Sequence, residues 1–238
     1  MADQVKTVIT TGNAEVDNVV EKAQDFWFRF SKPIIYVSTA IIVLVGGWYI
    51  YKNFIALPQQ EKANDMIFPA ENLFDKMAQE GFNKDSINLV LNGGNGITGV
   101  VKIANTYGST PSGNRAKLIA GACYIRIQDY DNAIKYLKDF SSTKATQVQT
   151  TVYSLLGDAY SEQKNTDEAY KYYKKAAEVN EKDEFMTSEA LYKEGLYAET
   201  IGKTDDAIAI YEKIRDDYPK STHAADMDKY LARLGVLK

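Results

Sequence analysis

Cys123 is the only thiol and His223 the only imidazole in the 238 residues. A nucleophilic thiol needs a base within hydrogen-bond reach, and a zinc site needs a set of Cys and His ligands. The pair can build neither a disulfide nor a zinc cluster. Cys123 lies between Ala122 and Tyr124 in a helical pattern, which is a packing position, and His223 stands alone before a short closing segment. The glycines at 93, 94, 96 and 99 suggest a phosphate loop, whose backbone N–H groups cradle an anion. No Lys-Ser or Lys-Thr follows them and no strand-turn-helix unit surrounds them, so they are expected to form a flexible insert. The acidic side chains alternate with lysines on solvated helical faces. The chain is therefore expected to be no enzyme, with no catalytic residue, metal or cofactor.

Charge narrows the class further. The chain has 28 Lys+Arg against 32 Asp+Glu, a net charge of -4 and a pI near 5.2, with no basic run, which excludes a nucleic-acid binder. The -4 resides wholly beyond residue 52, because the amino-terminal part is balanced. Seventeen tyrosines and only 5 prolines are the compositional anomaly.

Residues 33–51, PIIYVSTAIIVLVGGWYIY, carry no charge. A helix of this length covers roughly 28 Å at 1.5 Å per residue, close to the hydrocarbon thickness of a bilayer. Phe26, Trp27 and Phe30 precede it beside Arg29 and Lys32, and Trp48, Tyr49 and Tyr51 close it beside Lys52, as interfacial anchors do. A secretory signal would place its apolar core earlier and follow it with a small-residue cleavage site, and no cysteine offers a lipoprotein anchor. The expectation is a retained membrane helix over 33–52, in contact with the lipid bilayer. Gly46, Gly47 and Trp48 would pack against another membrane helix. Lys22, Arg29 and Lys32 outnumber Lys52 and Lys62 by one, a small bias toward an amino terminus inside. Residues 1–32 form the cytoplasmic segment. Within it 14–30 reads either as an amphipathic helix along the membrane face or as an extended start to the spanning helix.

The remainder is helical in pattern and repeats internally. Gly121, Gly157 and Gly195 recur at 36 and 38 residues, each followed twelve residues on by Ala133, Ala169 or Ala207 and four further on by Leu137, Tyr173 or Tyr211. Small residues mark where two antiparallel helices approach, and the large residue one turn later fills the groove beside the contact. Asp131, Thr166 or Asp167, and Thr204 or Asp205 are suitable caps for the second helices. The spacing resembles the tetratricopeptide repeat, whose Leu-Gly-x-x-Tyr, Ala and aromatic positions match Leu156, Gly157, Tyr160, Ala169 and Tyr173. The third block has Ala198 in place of the tyrosine but keeps Pro219. A degenerate unit precedes the three: a second-type helix over 96–107 whose partner lies near 61–80. Residues 221–234 read as a capping helix. The expected fold is all-α: one amino-terminal transmembrane helix, a connecting helix and degenerate repeat over 53–112, then a short α-solenoid of three tetratricopeptide repeats and a capping helix over 113–238.

The repeat resemblance implies a concave face lined by the first helices. It would carry Arg115, Ile119, Ala122 and Arg126 from the first block, Thr151, Ser154, Asp158 and Glu162 from the second, and Glu189, Tyr192, Leu196 and Glu199 from the third, with Arg115, Arg126, Ser154, Asp158, Tyr192, Leu196 and Glu199 as the protein-binding residues. Its acids and hydroxyls do not suit a clamp for free carboxylates. The order of segments, with EKANDMIFPAENLFDKM after the anchor and the closing Tyr218-Pro219-Lys220-Ser221, resembles the ancillary SecYEG translocon subunit (YfgM-like) family. That resemblance implies a non-enzymatic scaffold or chaperone of the bacterial inner membrane, single-pass, with its repeats in the periplasm. The partners implied are SecYEG or another membrane protein complex, and newly translocated polypeptides or periplasmic chaperones. The alternative is a scaffold for envelope assembly, in cell division or outer-membrane biogenesis.

Overall fold

A computed structural model describes the backbone of residues 2–236 and the side chains of residues 18–236. The chain divides into two compact units, Met1–Pro58 and Gln59–Lys238. The first consists of α1 (Ala2–Tyr51) and a π-helical turn, Lys52–Ala56. Helix α1 runs through Ser31 and Lys32 with Pro33 inside it. The segment 14–30 is therefore the start of one helix, not a helix of its own; the side chains of 14–17 lie outside the described residues. Lys52 Nζ sits 5.0 Å from the Trp48 ring centroid, and Asn53 Nδ2 donates to the Tyr49 carbonyl at 2.9 Å. None of the apolar window in this helical run is buried by protein.

The second unit carries α2 (Leu57–Glu80), α3 (Lys84–Asn92), a two-residue pairing of β1 (Gly93–Gly94) with β2 (Ile97–Thr98), and α4 (Val100–Tyr107). Three antiparallel pairs follow: α5 (Pro111–Arg126) with α6 (Tyr130–Lys138), α7 (Thr146–Glu162) with α8 (Thr166–Ala177), and α9 (Glu184–Thr200) with α10 (Thr204–Asp217). A 3₁₀ turn, Ala224–Asp226, and α11 (Met227–Arg233) close the stack. Helices pack in chain order, α5 on α6, α6 on α7, α7 on α8, and so on to α10 on α11. The core accordingly forms three successive clusters: Ile67, Val90, Leu91 and Ile103 at the start, Val152, Leu156 and Tyr173 in the middle, and Tyr211, Ile214, Met227 and Leu231 at the end. Each helix pair shares a cluster with its neighbour, as a stack requires.

Four expectations need correction. The glycine segment is not a flexible insert. Ile87, Val90 and Leu91 are buried on one face of α3, which Asn83 caps by accepting from the Ser86 N–H at 2.8 Å. Beyond it, Asn95 and Gly96 both take positive φ, 50° and 83°, the geometry of an Asn-Gly hairpin turn, with Gly94 paired to Ile97. The second-type helix then starts at Val100 rather than 96.

The second-helix caps lie earlier than expected. Gln128, Lys164 and Gly202 take left-handed φ of 63°, 59° and 77° and end the first helices, and the next N–H in each turn reaches back five residues, to the Tyr124, Tyr160 or Ala198 carbonyl. Asp129 and Asn165 are therefore the caps, accepting from the Asn132 and Glu168 N–H groups, while Lys203 offers none. The closing helix is also shorter than 221–234, because Ser221 to His223 form a turn before the 3₁₀ segment.

The repeat glycines set the spacing within each pair. A Cβ at Gly157 would lie 2.7 Å from two ring atoms of Tyr173, one at Gly195 2.6 Å from Tyr211 Cε1, and one at Gly121 would overlap Leu137. Tyr173 and Tyr211 are buried and cannot yield. Gly157→Val should therefore destabilise the repeats by about 1–3 kcal/mol, the usual cost of overpacking, and lower their urea midpoint. Gly47→Val, where nothing lies within 4 Å, should leave it unchanged; equal midpoints would remove the close approach as a constraint.

Candidate functional site

The first helices of the leading units, α2, α5 and α7, line a common face. A polar ladder ties α2 to α5. Gln60 Nε2 donates to Ser112 Oγ at 3.2 Å, Ser112 Oγ donates to Asn64 Oδ1 at 3.4 Å, and Arg115 Nη2 donates to the same Asn64 oxygen at 3.2 Å. Arg115 also holds Glu71 in a two-point contact, Nε to Oε1 at 2.6 Å and Nη2 to Oε2 at 3.4 Å. This forked geometry fixes the guanidinium as well as pairing it.

Beside the ladder opens a groove of about 480 Å³. Phe68, Glu71, Asn72, Phe74 and Asp75 of α2 form one wall, Arg115, Leu118, Ile119 and Ala122 of α5 the floor, and Val148, Thr151 and Leu155 of α7 the other wall. Phe68 is 62% exposed at its edge. In the second unit, Phe68, Phe185 and Val236 are the large apolar side chains left exposed among the described residues. With Arg115 neutralised by Glu71, the groove is apolar and its rim is acidic at Asp75.

Of the twelve sequence-derived concave-face residues, Arg115, Ile119, Ala122 and Thr151 line this groove. Arg126 lies with its guanidinium 4.6 Å from the Phe82 ring centroid and lines a separate cleft with Phe82, Ile87 and Gln128. Ser154 and Leu196 are half-buried on α7 and α9. Asp158 accepts from the Tyr173 hydroxyl at 2.8 Å and from Lys193 at 3.4 Å. Burial, with Asp158 beside it, pushes the Tyr173 phenol well above its ordinary range.

The third block is engaged by the closing segment. Tyr192 stacks on His223 at 4.0 Å between ring centroids, and its hydroxyl lies 2.6 Å from that of Tyr230. That contact and burial push the Tyr192 phenol up to about 12. His223 Nε2 lies 2.6 Å from Glu189 Oε2, and Glu199 accepts from Arg233 at 2.6 Å and from Tyr211 at 3.1 Å. Tyr192 and Glu199 thus hold the end of the stack together. Gly46, Gly47 and Trp48 lie on α1, where no side chain approaches either glycine within 4 Å and Trp48 is exposed.

Sequence reasoning missed Phe68, Phe74, Leu118, Val148 and Leu155. The signal was present on α2, where Phe68 stands off the buried stripe of Ala63, Ile67, Ala70 and Met77, while Phe74 lies on that stripe and packs against the first cluster. Among the described residues, no group of three or more His, Cys, Asp or Glu side chains is placed to hold a metal.

These paired helices define an α-solenoid, an architecture that presents extended concave faces to other chains. Two family models of the tetratricopeptide repeat match the chain, one over residues 115–142 and one over residues 149–220. The chain therefore carries tetratricopeptide repeats, which are protein-interaction scaffolds and generally not enzymes. No curated protein matches it.

Cys123 is fully buried in the first cluster, and burial pushes its thiol up to about 12, against a smaller opposing pull from Arg126. The thiolate is the reactive form. The native chain should therefore resist a thiol-specific reagent at pH 8 and react with one equivalent only in denaturant. Fast labelling of the native chain would show that the first repeat opens.

Proposed function

We propose that this chain is a non-enzymatic scaffold, anchored by one membrane-spanning helix, whose repeats hold polypeptide partners in the groove between α2, α5 and α7. One observation carries the reading: two apolar surfaces are left without protein to cover them. Along α1, Ile34, Ile35, Val37, Ile41, Ile42, Val43, Leu44, Val45 and Ile50 are all exposed. Each such side chain gains about 1.5–3 kcal/mol on leaving water, which favours lipid as the surroundings of 33–51. The groove is the second surface, and Phe68 at its edge suits an apolar anchor from an extended or helical partner segment.

The order of segments supports a finer reading. The anchor lies in a bacterial inner membrane with the amino terminus inside and the repeats in the periplasm, beside the Sec translocon. There the groove receives newly translocated chains or passes them to periplasmic chaperones, while Gly46, Gly47 and Trp48 pack against translocon helices.

Photo-cross-linkers at Thr151 and at Trp48 of the full chain, in membranes engaged with an arrested secretory precursor, test both parts. The expected result is capture of the precursor from Thr151 and of a translocon subunit from Trp48. Phe68→Asp should reduce the Thr151 cross-link by tenfold or more, while Phe185→Asp leaves it unchanged. Precursor capture that ignores Phe68→Asp would remove the groove. Absence of both cross-links would contradict the translocon reading and favour envelope assembly.

A further inference from the structure

One position in the third repeat carries a carboxyl where the two earlier repeats carry an apolar side chain. Ala120 and Leu156, immediately before Gly121 and Gly157, are buried apolar residues. The third repeat places Glu194 before Gly195, and it is only 5% exposed. Along α9 it lies one turn from the buried Ala190, Leu191 and Ala198, which belong to the end cluster together with Ala176 and Ala177 of α8 and Ile210 of α10.

Among the described residues, no cation is paired with this carboxyl. From α8, Lys174 lies 4.0 Å from Glu178; from α10, Lys213 lies 3.0 Å from Glu181. Asp206 of α10 accepts from the Tyr170 hydroxyl of α8 at 3.1 Å and lies 3.7 Å from Lys203. Lys193, next along α9, is paired with Asp158 of α7. Lys174 and Lys213 act on the carboxylate from α8 and α10, Glu178 and Asp206 oppose them, and each of these groups is held by a partner other than Glu194. A bare carboxylate in such a place is costly, so the group is stabilised as the neutral acid.

We propose that Glu194 makes the α8–α9 seam a proton-sensitive joint, closed while the carboxyl is neutral and loosened when it ionises, so that α9, α10 and α11 open as one block. Burial pushes the Glu194 carboxyl up to about 7 from an ordinary 4.5, with Lys174 and Lys213 pulling down and Glu178 and Asp206 pushing up. The closed seam therefore holds the proton more tightly than the open one. Its stabilisation is complete below 4.5 and is lost as pH rises through 7. Each unit between those values is a tenfold change, so the opening equilibrium rises on the order of a hundredfold across the window.

Hydrogen exchange of the full chain in detergent micelles at pH 5 and pH 8, corrected for the chemical exchange rate, reads this directly. The expected result is a rise in opening of α9 and α10 amides on the order of a hundredfold, relative to those of α5 and α6. Glu194→Gln and Glu194→Leu, the latter copying Leu156, should remove the rise. An unchanged α9–α10 opening in the unaltered chain, or a rise that persists in Glu194→Gln, would overturn the joint. Should neither variant fold, carbon NMR titration of the Glu194 carboxyl decides: a midpoint near 7 supports the proposal, and one in the ordinary carboxylate range contradicts it.

Discussion

A glycine on one helix against a large side chain on the next is the contact from which the repeat unit is built. Gly157 against Tyr173 and Gly195 against Tyr211 bring each helix pair closer than any Cβ would permit. That closeness aligns Leu156, Ala169 and Tyr172 into one shared cluster and lets the next pair dock on the same face. Once pairs stack, their first helices form a continuous face, and the groove between α2, α5 and α7 follows from it. The tyrosines serve this packing through stacked pairs such as Tyr160 with Tyr172 and Tyr124 with Tyr136.

The two units meet the demand for burial in opposite ways. The repeats bury their apolar stripes on one another and end the series with α11, whose Met227 and Leu231 are fully buried. Polar contacts then lock that end, with His223 on Glu189 and Arg233 on Glu199. Such partly exposed polar contacts are worth little alone, and the burial of Tyr211, Met227 and Leu231 beneath them contributes more. Helix α1, by contrast, leaves large apolar side chains exposed from Val19 to Tyr51 among the described residues. Placing it in lipid removes that imbalance without further protein contacts.

Legibility followed physical locality. The glycine, alanine and aromatic spacing of the repeats was readable because a helix converts sequence interval directly into position on a face. The caps were not, because the left-handed residues ending the first helices are Gln128 and Lys164 as well as Gly202, and the first two are types that seldom signal such a turn. The Asn95-Gly96 hairpin turn was present in the sequence but was read as flexibility, since two-residue strands carry no alternation to detect. Tyr192 and Glu199 were assigned to an open face because helical spacing cannot reveal which neighbour will cover it. Phe68 and Phe74 escaped notice because they belong to the degenerate leading unit, where repeat alignment offers no template.

The central claim is that the helix over 33–51 spans a membrane and holds the interacting repeats on one side of it. The most direct measurement is modification of single cysteines by a membrane-impermeant maleimide in spheroplasts, using Asn13→Cys and Lys144→Cys in a chain where Cys123 is replaced by alanine. The account predicts that Lys144→Cys reacts from outside and that Asn13→Cys reacts only after the membrane is permeabilised. Equal reactivity of both positions before permeabilisation would contradict it.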